Sequence, residues 1–247
     1  MKHFSWQILL GLFFILLSSL LYFIHYAIFK DVHHIFVYLI GDIAFVPIEV
    51  LMVTLIIHRL LSMREKRARM QKLNMVIGAF FSEVGTKLLT FFSDFDPKLD
   101  EIRKYLIVTN DWSEEEFLSV SKRLKKYDYG IEIQKFDLDA LRSFLLGKRD
   151  FLMRLMENPT LLEHESFTGL LQAVFHMTEE LDCREDMKAL PAADYEHLAG
   201  DIKRGYVLLV HQWVDYMKHL KDNYPYLFSL AMRMNPFDRT ASPIVKG

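Results

Sequence analysis

Two long apolar runs open the chain, and helical periodicity governs most of the remainder. From Phe4 to Phe29 there is no Asp, Glu, Lys or Arg, and from Val32 to His58 the only such residues are Asp42 and Glu49. Each run exceeds the ~20 residues that a helix needs to cross a hydrocarbon core of about 30 Å. The pattern predicts a transmembrane unit over residues 1–61, with spans at about 4–29 and 34–59 and a tight hairpin at Lys30-Asp31. The first run is longer than the apolar core of about 7–15 residues found in a signal peptide. It also lacks a small-residue end, because Tyr22 to Phe29 is bulky, so it reads as a retained anchor.

After Leu61 the apolar positions recur every three to four residues. A basic juxtamembrane segment and an apolar helix occupy 62–92. Within it Leu73, Ile77, Phe80, Val84, Leu88 and Phe91 form a bulky stripe, and Gly78, Ser82 and Gly85 a small-residue stripe roughly opposite. A helix apolar nearly all round is normally buried, so this one suits the centre of a domain or a membrane-associated position. Glu83 and Lys87 stand four apart, as an ion pair on one helix would. Residues 93–236 read as a helical domain. Asp96-Pro97 starts a helix to about Val108, and Ser113 to Glu116 is a capping-box pattern for another to about Tyr127. YDYGIEIQ is a connector with at most a short strand at Ile131 to Ile133. Asp137 caps a helix with Leu138, Leu141, Leu145, Leu152 and Met156 inside, and Asn158-Pro159 ends it. Phe167, Leu170, Val174, Met177 and Leu181 carry the next stripe, and Cys183 to Asp194 is the best linker. Leu198, Ile202, Tyr206, Leu209, Trp213, Tyr216 and Leu220 then form the cleanest helical pattern in the chain. Pro225 opens a last short helix, and 237–247 lacks core periodicity and reads as a flexible tail. The expected fold is all-α: a two-span membrane hairpin followed by a cytoplasmic antiparallel helical bundle.

Charge supplies the orientation. Arg59, Arg64, Lys66, Arg67, Arg69 and Lys72 follow the second span against Glu65 alone. Basic residues beside a span stay inside, and Lys2 agrees, so both termini are expected in the cytoplasm, with the protein in the inner (plasma) membrane. The same six residues can contact anionic lipid. Beyond residue 61 the chain holds 27 basic and 29 acidic residues, a balance that offers no electrostatic case for nucleic acid. The single cysteine, Cys183, excludes a disulfide within the chain and suits a reducing compartment. Its acidic neighbours disfavour a reactive thiolate.

No phosphate-binding loop, nucleophile elbow, H-E-x-x-H or C-x-x-C pattern occurs, and no cofactor is implied. His197, Asp201, His211, Asp215 and His219 lie along one helix. His211, Asp215 and His219 repeat at four residues, which makes them weak candidates for a metal. Their face lies away from Leu209, Trp213 and Tyr216, where a solvated polar surface accounts for them. His176 with Glu179 and Glu180, and Glu163-His164-Glu165, are likewise read as polar surface. The expectation is no metal.

The polar residues inside the second span carry the sharpest signal. Asp42 and Glu49 are seven apart, on one face and about 10 Å apart along the axis. Pro47 cannot donate to the carbonyl of Ile43, which is freed between them. A carboxylate facing lipid costs several kcal/mol, so this stripe should meet protein or water. Ser18, Ser19 and Tyr22 of the first span lie at the depth of Asp42, whereas Glu49 finds no polar partner there. The favoured reading is a non-enzymatic membrane-anchored protein that binds or positions a partner at the cytoplasmic membrane face. Membrane lipid, a protein partner or further copies of the chain are its expected contacts. The alternative is a small oligomeric ion or proton channel subunit that uses Asp42 and Glu49. An enzyme with a site assembled across helices is a third reading. An exposed apolar groove on the bundle would favour the first.

Overall fold

In the computed structural model residues 2–159, 161 and 164–245 are described. They form two compact units, Met1–Lys66 and Arg67–Gly247. Among the described residues the regular elements are all helical.

The first unit holds α1 (Lys2–Phe29) and the beginning of α2 (Val32–Phe80). Both are long and apolar enough to cross a membrane. The turn falls at Lys30-Asp31. Lys30 takes a left-handed conformation, φ 51°, and its N–H still donates to the Tyr26 carbonyl at 2.8 Å. Asp31 then starts α2 by accepting the His34 N–H at 3.2 Å, the usual work of an aspartate at a helix start. α2 does not stop at the end of the apolar run. It passes Pro47 and the basic cluster as one 49-residue helix.

The second unit takes in the end of α2 from Arg67 onward, so the segment 73–92 belongs to its core. Leu73, Ile77, Phe80, Val84 and Leu88 are buried. At Phe81–Gly85 the helix widens into a π turn, where Thr86 N–H bonds the Phe81 carbonyl five residues back. The turn absorbs one extra residue and advances the register. The stripe therefore continues through Leu89 and Phe92, while the expected Phe91 is only half-buried. Gly85 fits this turn because a Cβ there would sit 2.7 Å from Phe81 and 2.9 Å from Phe80. Glu83 pairs with Lys148 at 2.7 Å instead of Lys87, and Lys87 lies over the Phe91 ring.

α3 (Thr86–Ser93) is followed by α4 (Leu99–Arg103), far shorter than the expected helix to Val108. Asp96 turns inward and accepts the Tyr127 hydroxyl at 2.7 Å, and burial pushes its carboxyl above the ordinary aspartate range. α5 (Glu114–Leu124) carries the full capping box of Ser113 and Glu116. A 3₁₀ turn, Ile133–Lys135, stands where a short strand was conceivable. α6 (Leu138–Met156) is capped by Asp137 and buries Leu155 in place of Met156. Beyond it come α7 (Glu165–Asp182) and α8 (Ala192–Asn223). α8 is the axis of the domain, packing on α3, α5, α7 and α9 (Pro225–Arg233). Leu198, Ile202, Tyr206, Leu209, Trp213 and Leu220 are buried as the spacing predicts.

Two further expectations need correction. The C-terminal segment is not loose where it leaves α9. Phe237 is fully buried and meets Trp213 edge-on at 5.1 Å. Asn235 donates to the Leu106 carbonyl at 2.8 Å, and Arg103 donates to the Phe237 carbonyl at 3.2 Å. One large side chain without periodicity is enough to anchor the segment. Asp201, assigned to a solvated face, is 4% exposed, because α7 covers the N-terminal half of α8.

Candidate functional sites

An apolar groove of about 680 Å³ opens on the second unit between the end of α2 and α9. The small-residue stripe forms one wall through Gly78, Ala79 and Ser82, with Met75 above them. α9 forms the other through Leu227, Leu230 and Met234, which stand three and four residues apart and so share a face. Phe81, Tyr216, His219 and Leu220 line the groove between these walls. Phe81 and Tyr216 stack with centroids 4.9 Å apart and planes 9° from parallel. A Cβ on Gly78 would touch the Tyr216 hydroxyl at 3.4 Å, so a residue larger than glycine there narrows the groove. Met75 is 63% exposed and Tyr226 at the rim 71%. Large apolar side chains are thus held open to solvent in one concave patch. The periodicity of α9 and the small stripe are visible in the sequence; their apposition across the chain is not.

His219 is the imidazole of this groove. Its Nδ1 lies 3.1 Å from the Asn74 amide nitrogen and 3.2 Å from that of Asn223, and burial pushes the imidazole below its ordinary pKa. His211 is also half-buried, with its pKa pushed down for the same reason. Asp215 is exposed. Of these three weak metal candidates, His219 is committed to two asparagines and lines a groove that the other two do not.

A different set of ligand-type atoms converges among the described residues. His176 and Glu180 of α7 face His197 and Asp201 of α8. His176 Nε2 lies 3.5 Å from Asp201 Oδ2 and 3.7 Å from Glu180 Oε1. His197 Nε2 lies 3.4 Å from Asp201 Oδ2 and 3.5 Å from Glu180 Oε2. Arg184 bonds Glu180 Oε2 at 2.8 Å and clamps Asp194 through two 2.7 Å bonds. It holds the Glu180 carboxyl below the ordinary glutamate range. Arg204 reaches the other oxygen of Asp201, Oδ1, at 3.1 Å. The sequence does carry a signal for this set. In an antiparallel pair of helices, 176 and 201 are equidistant from the middle of the connector, and so are 180 and 197. Neither helix reveals the match alone. Glu163 of the Glu163-His164-Glu165 cluster lies outside the described residues.

In the first unit, Asp42 and Glu49 are exposed on the single chain. Ser19, a neighbour considered for Asp42, donates to the Ile15 carbonyl at 2.9 Å. Arg59, Arg64, Lys66, Arg67, Arg69 and Lys72 are all exposed along α2. Cys183 is an exposed free thiol.

Residues 2–61 match a family described as the N-terminal helical domain of MJ1433. Residues 69–233 match one described as the C-terminal helical domain of the uncharacterized protein MJ1433. The chain is 49% identical over 233 residues to "Uncharacterized protein MJ1433" of Methanocaldococcus jannaschii, an alignment that covers 94% of each chain. No solved structure matches.

Proposed function

From the premise that the chain belongs to the family of the uncharacterized protein MJ1433, we propose that it is a non-enzymatic membrane-anchored protein that receives a partner at the cytoplasmic membrane face. The two N-terminal helices act as the anchor in the plasma membrane, with both termini inside. The occupant proposed for the groove is an amphipathic helix of a protein partner. The observation that carries this reading is the groove itself. Its two walls are helices, its rim exposes methionine, leucine and tyrosine, and its form suits the apolar face of a third helix. Met75 and Met234 suit it further, since thioether side chains adapt to the shape they meet. Arg67 and Lys72 precede Asn74 on α2 and favour an acidic flank on the incoming helix.

The test uses the full-length chain in its native membrane, with a photo-crosslinking residue at Leu227. The reading expects a discrete protein adduct, lost when Leu230→Glu or Met75→Glu places a charge in the groove. Adducts to lipid alone, or a protein adduct that both variants leave intact, would refute it. An adduct to a second copy of the chain would make the groove a self-assembly surface and likewise replace this reading.

The channel reading keeps one observation of its own. Asp42 and Glu49 are both exposed on an otherwise apolar helix, and a carboxylate is expensive against lipid. Burial of the pair between copies of the chain accounts for this without ion movement, and the substitutions given in the Discussion separate the two.

A further inference from the structure

We propose that α7 and α8 together hold a divalent transition-metal ion of the zinc class between His176, Glu180, His197 and Asp201. The four separations between imidazole Nε2 and carboxylate oxygens run from 3.4 to 3.7 Å. Ligands about 2.0–2.1 Å from a tetrahedral metal lie about 3.3 Å from one another; the ligand atoms of His176, Glu180 and Asp201 already lie within 4.8 Å of one another, and a rotation of the half-exposed His197 side chain completes the shell.

Asp201 supplies the independent observation. Its side chain is 4% exposed, and its Oδ2 is buried with no hydrogen-bond partner. That oxygen nevertheless faces two imidazole nitrogens at 3.4 and 3.5 Å. A buried carboxylate oxygen without a donor is costly. Two nitrogens converge on it without the alignment of a hydrogen bond, and a shared cation satisfies all three. The remaining carboxylate oxygens are arranged to the same end. Arg204 occupies Asp201 Oδ1, which leaves Oδ2 turned to both histidines, and Arg184 fixes Glu180 through Oε2, which leaves Oε1 turned to His176. Outer partners of this kind orient metal ligands. Two imidazoles with two carboxylates favour zinc or a neighbouring first-row ion over magnesium or calcium, which prefer oxygen alone. Four side chains close a tetrahedral shell, so the ion acts as a structural clamp across the connector that includes Cys183.

Cobalt(II) is the probe, added to the untagged full-length protein in detergent after chelator treatment. The expected result is one equivalent bound with the intense visible absorption of tetrahedral cobalt, displaced by zinc and unaffected by magnesium. His176→Ala with His197→Ala should abolish that band and weaken binding of this equivalent more than ~100-fold, beyond the loss expected from an outer-shell partner. Both side chains are about half exposed, so the double variant should retain wild-type helicity by circular dichroism. His25, His33 and His34 stand near the Lys30-Asp31 turn and offer a competing site, so His25→Ala with His34→Ala is the reference and should keep the band. The proposal is overturned if the wild type shows no such band, if the α7–α8 variant keeps it, or if the reference variant loses it.

Discussion

Replacing Phe237 by alanine tests whether the C-terminal segment is part of the folded domain. The ring is completely buried and packs edge-to-face on Trp213. Truncating a buried Phe costs about 3–5 kcal/mol, the sum of lost transfer energy and the cavity left behind. The segment that carries the ring is held by few contacts and can instead peel away. That route gives up the Asn235–Leu106 and Arg103–Phe237 hydrogen bonds, each worth roughly 0.5–1.5 kcal/mol net, and exposes Trp213. The cheaper outcome still costs about 3 kcal/mol once the ring's burial is included. In a domain of this size that corresponds to a fall in melting temperature of about 6–12 °C. Thermal unfolding of the full chain in detergent, followed by circular dichroism, measures it. Ile244→Ala, 71% exposed, should change stability by no more than ~0.5 kcal/mol and controls for the mere presence of a substitution in the segment. If Phe237→Ala shifts stability by less than ~1 kcal/mol, the packing on Trp213 contributes little and the reasoning fails.

Leu209→Ala, in a fully buried position of α8, should lower unfolding free energy by about 2–5 kcal/mol in denaturant titration. Burial depresses the imidazole pKa values of His211 and His219. Their neutral forms are thus favoured on folding, and stability should be full above the unfolded imidazole value of about 6.5 and lost as pH falls through the folded values. In the presence of a chelator, His211→Gln should flatten that slope, and an unchanged slope would assign it elsewhere. Reporter fusions at Lys2 and Gly247 should both read cytoplasmic, and an external C-terminal signal would rule out the hairpin topology. Glu49→Gln should preserve assembly while Glu49→Leu alters the oligomer or partner recovered in mild detergent. Proton or cation flux in liposomes that Glu49→Gln abolishes would instead support the channel.

The helices of the second unit are legible because each carries a one-sided apolar stripe that local spacing reports. The long α8 pattern, the Asp137 cap and the Ser113–Glu116 box all depend on residues within a turn of one another. The hidden features depend on pairing. Asp201 looks solvated because its own helix places it away from Trp213, and only α7 above it makes it buried. The groove needs Gly78 and Leu230 to be brought together across some 150 positions. Phe237 lacks a repeat because a single anchor has no period. Asp96 looks like a helix cap by type and does accept the Lys98 N–H through Oδ1, but the bond of its other oxygen to Tyr127, 31 residues on, is not visible in local spacing.

The π turn at Phe81–Gly85 carries a constraint on chain length. Removing any one residue from it should restore an ordinary α-helical path locally, at little cost to the backbone. A residue lost there leaves everything downstream in its present phase, whereas tightening the turn to α geometry with no residue lost would turn each later residue by about 100° around the axis. Leu88, Leu89 and Phe92, all fully buried, would then be swung off the face that meets α8. A one-residue deletion inside the turn is thus absorbed, and loss of the wide turn at constant length is ruinous two turns downstream. The wider turn works as a counted spacer, keeping the helix that enters the domain and the helix that forms its core in phase.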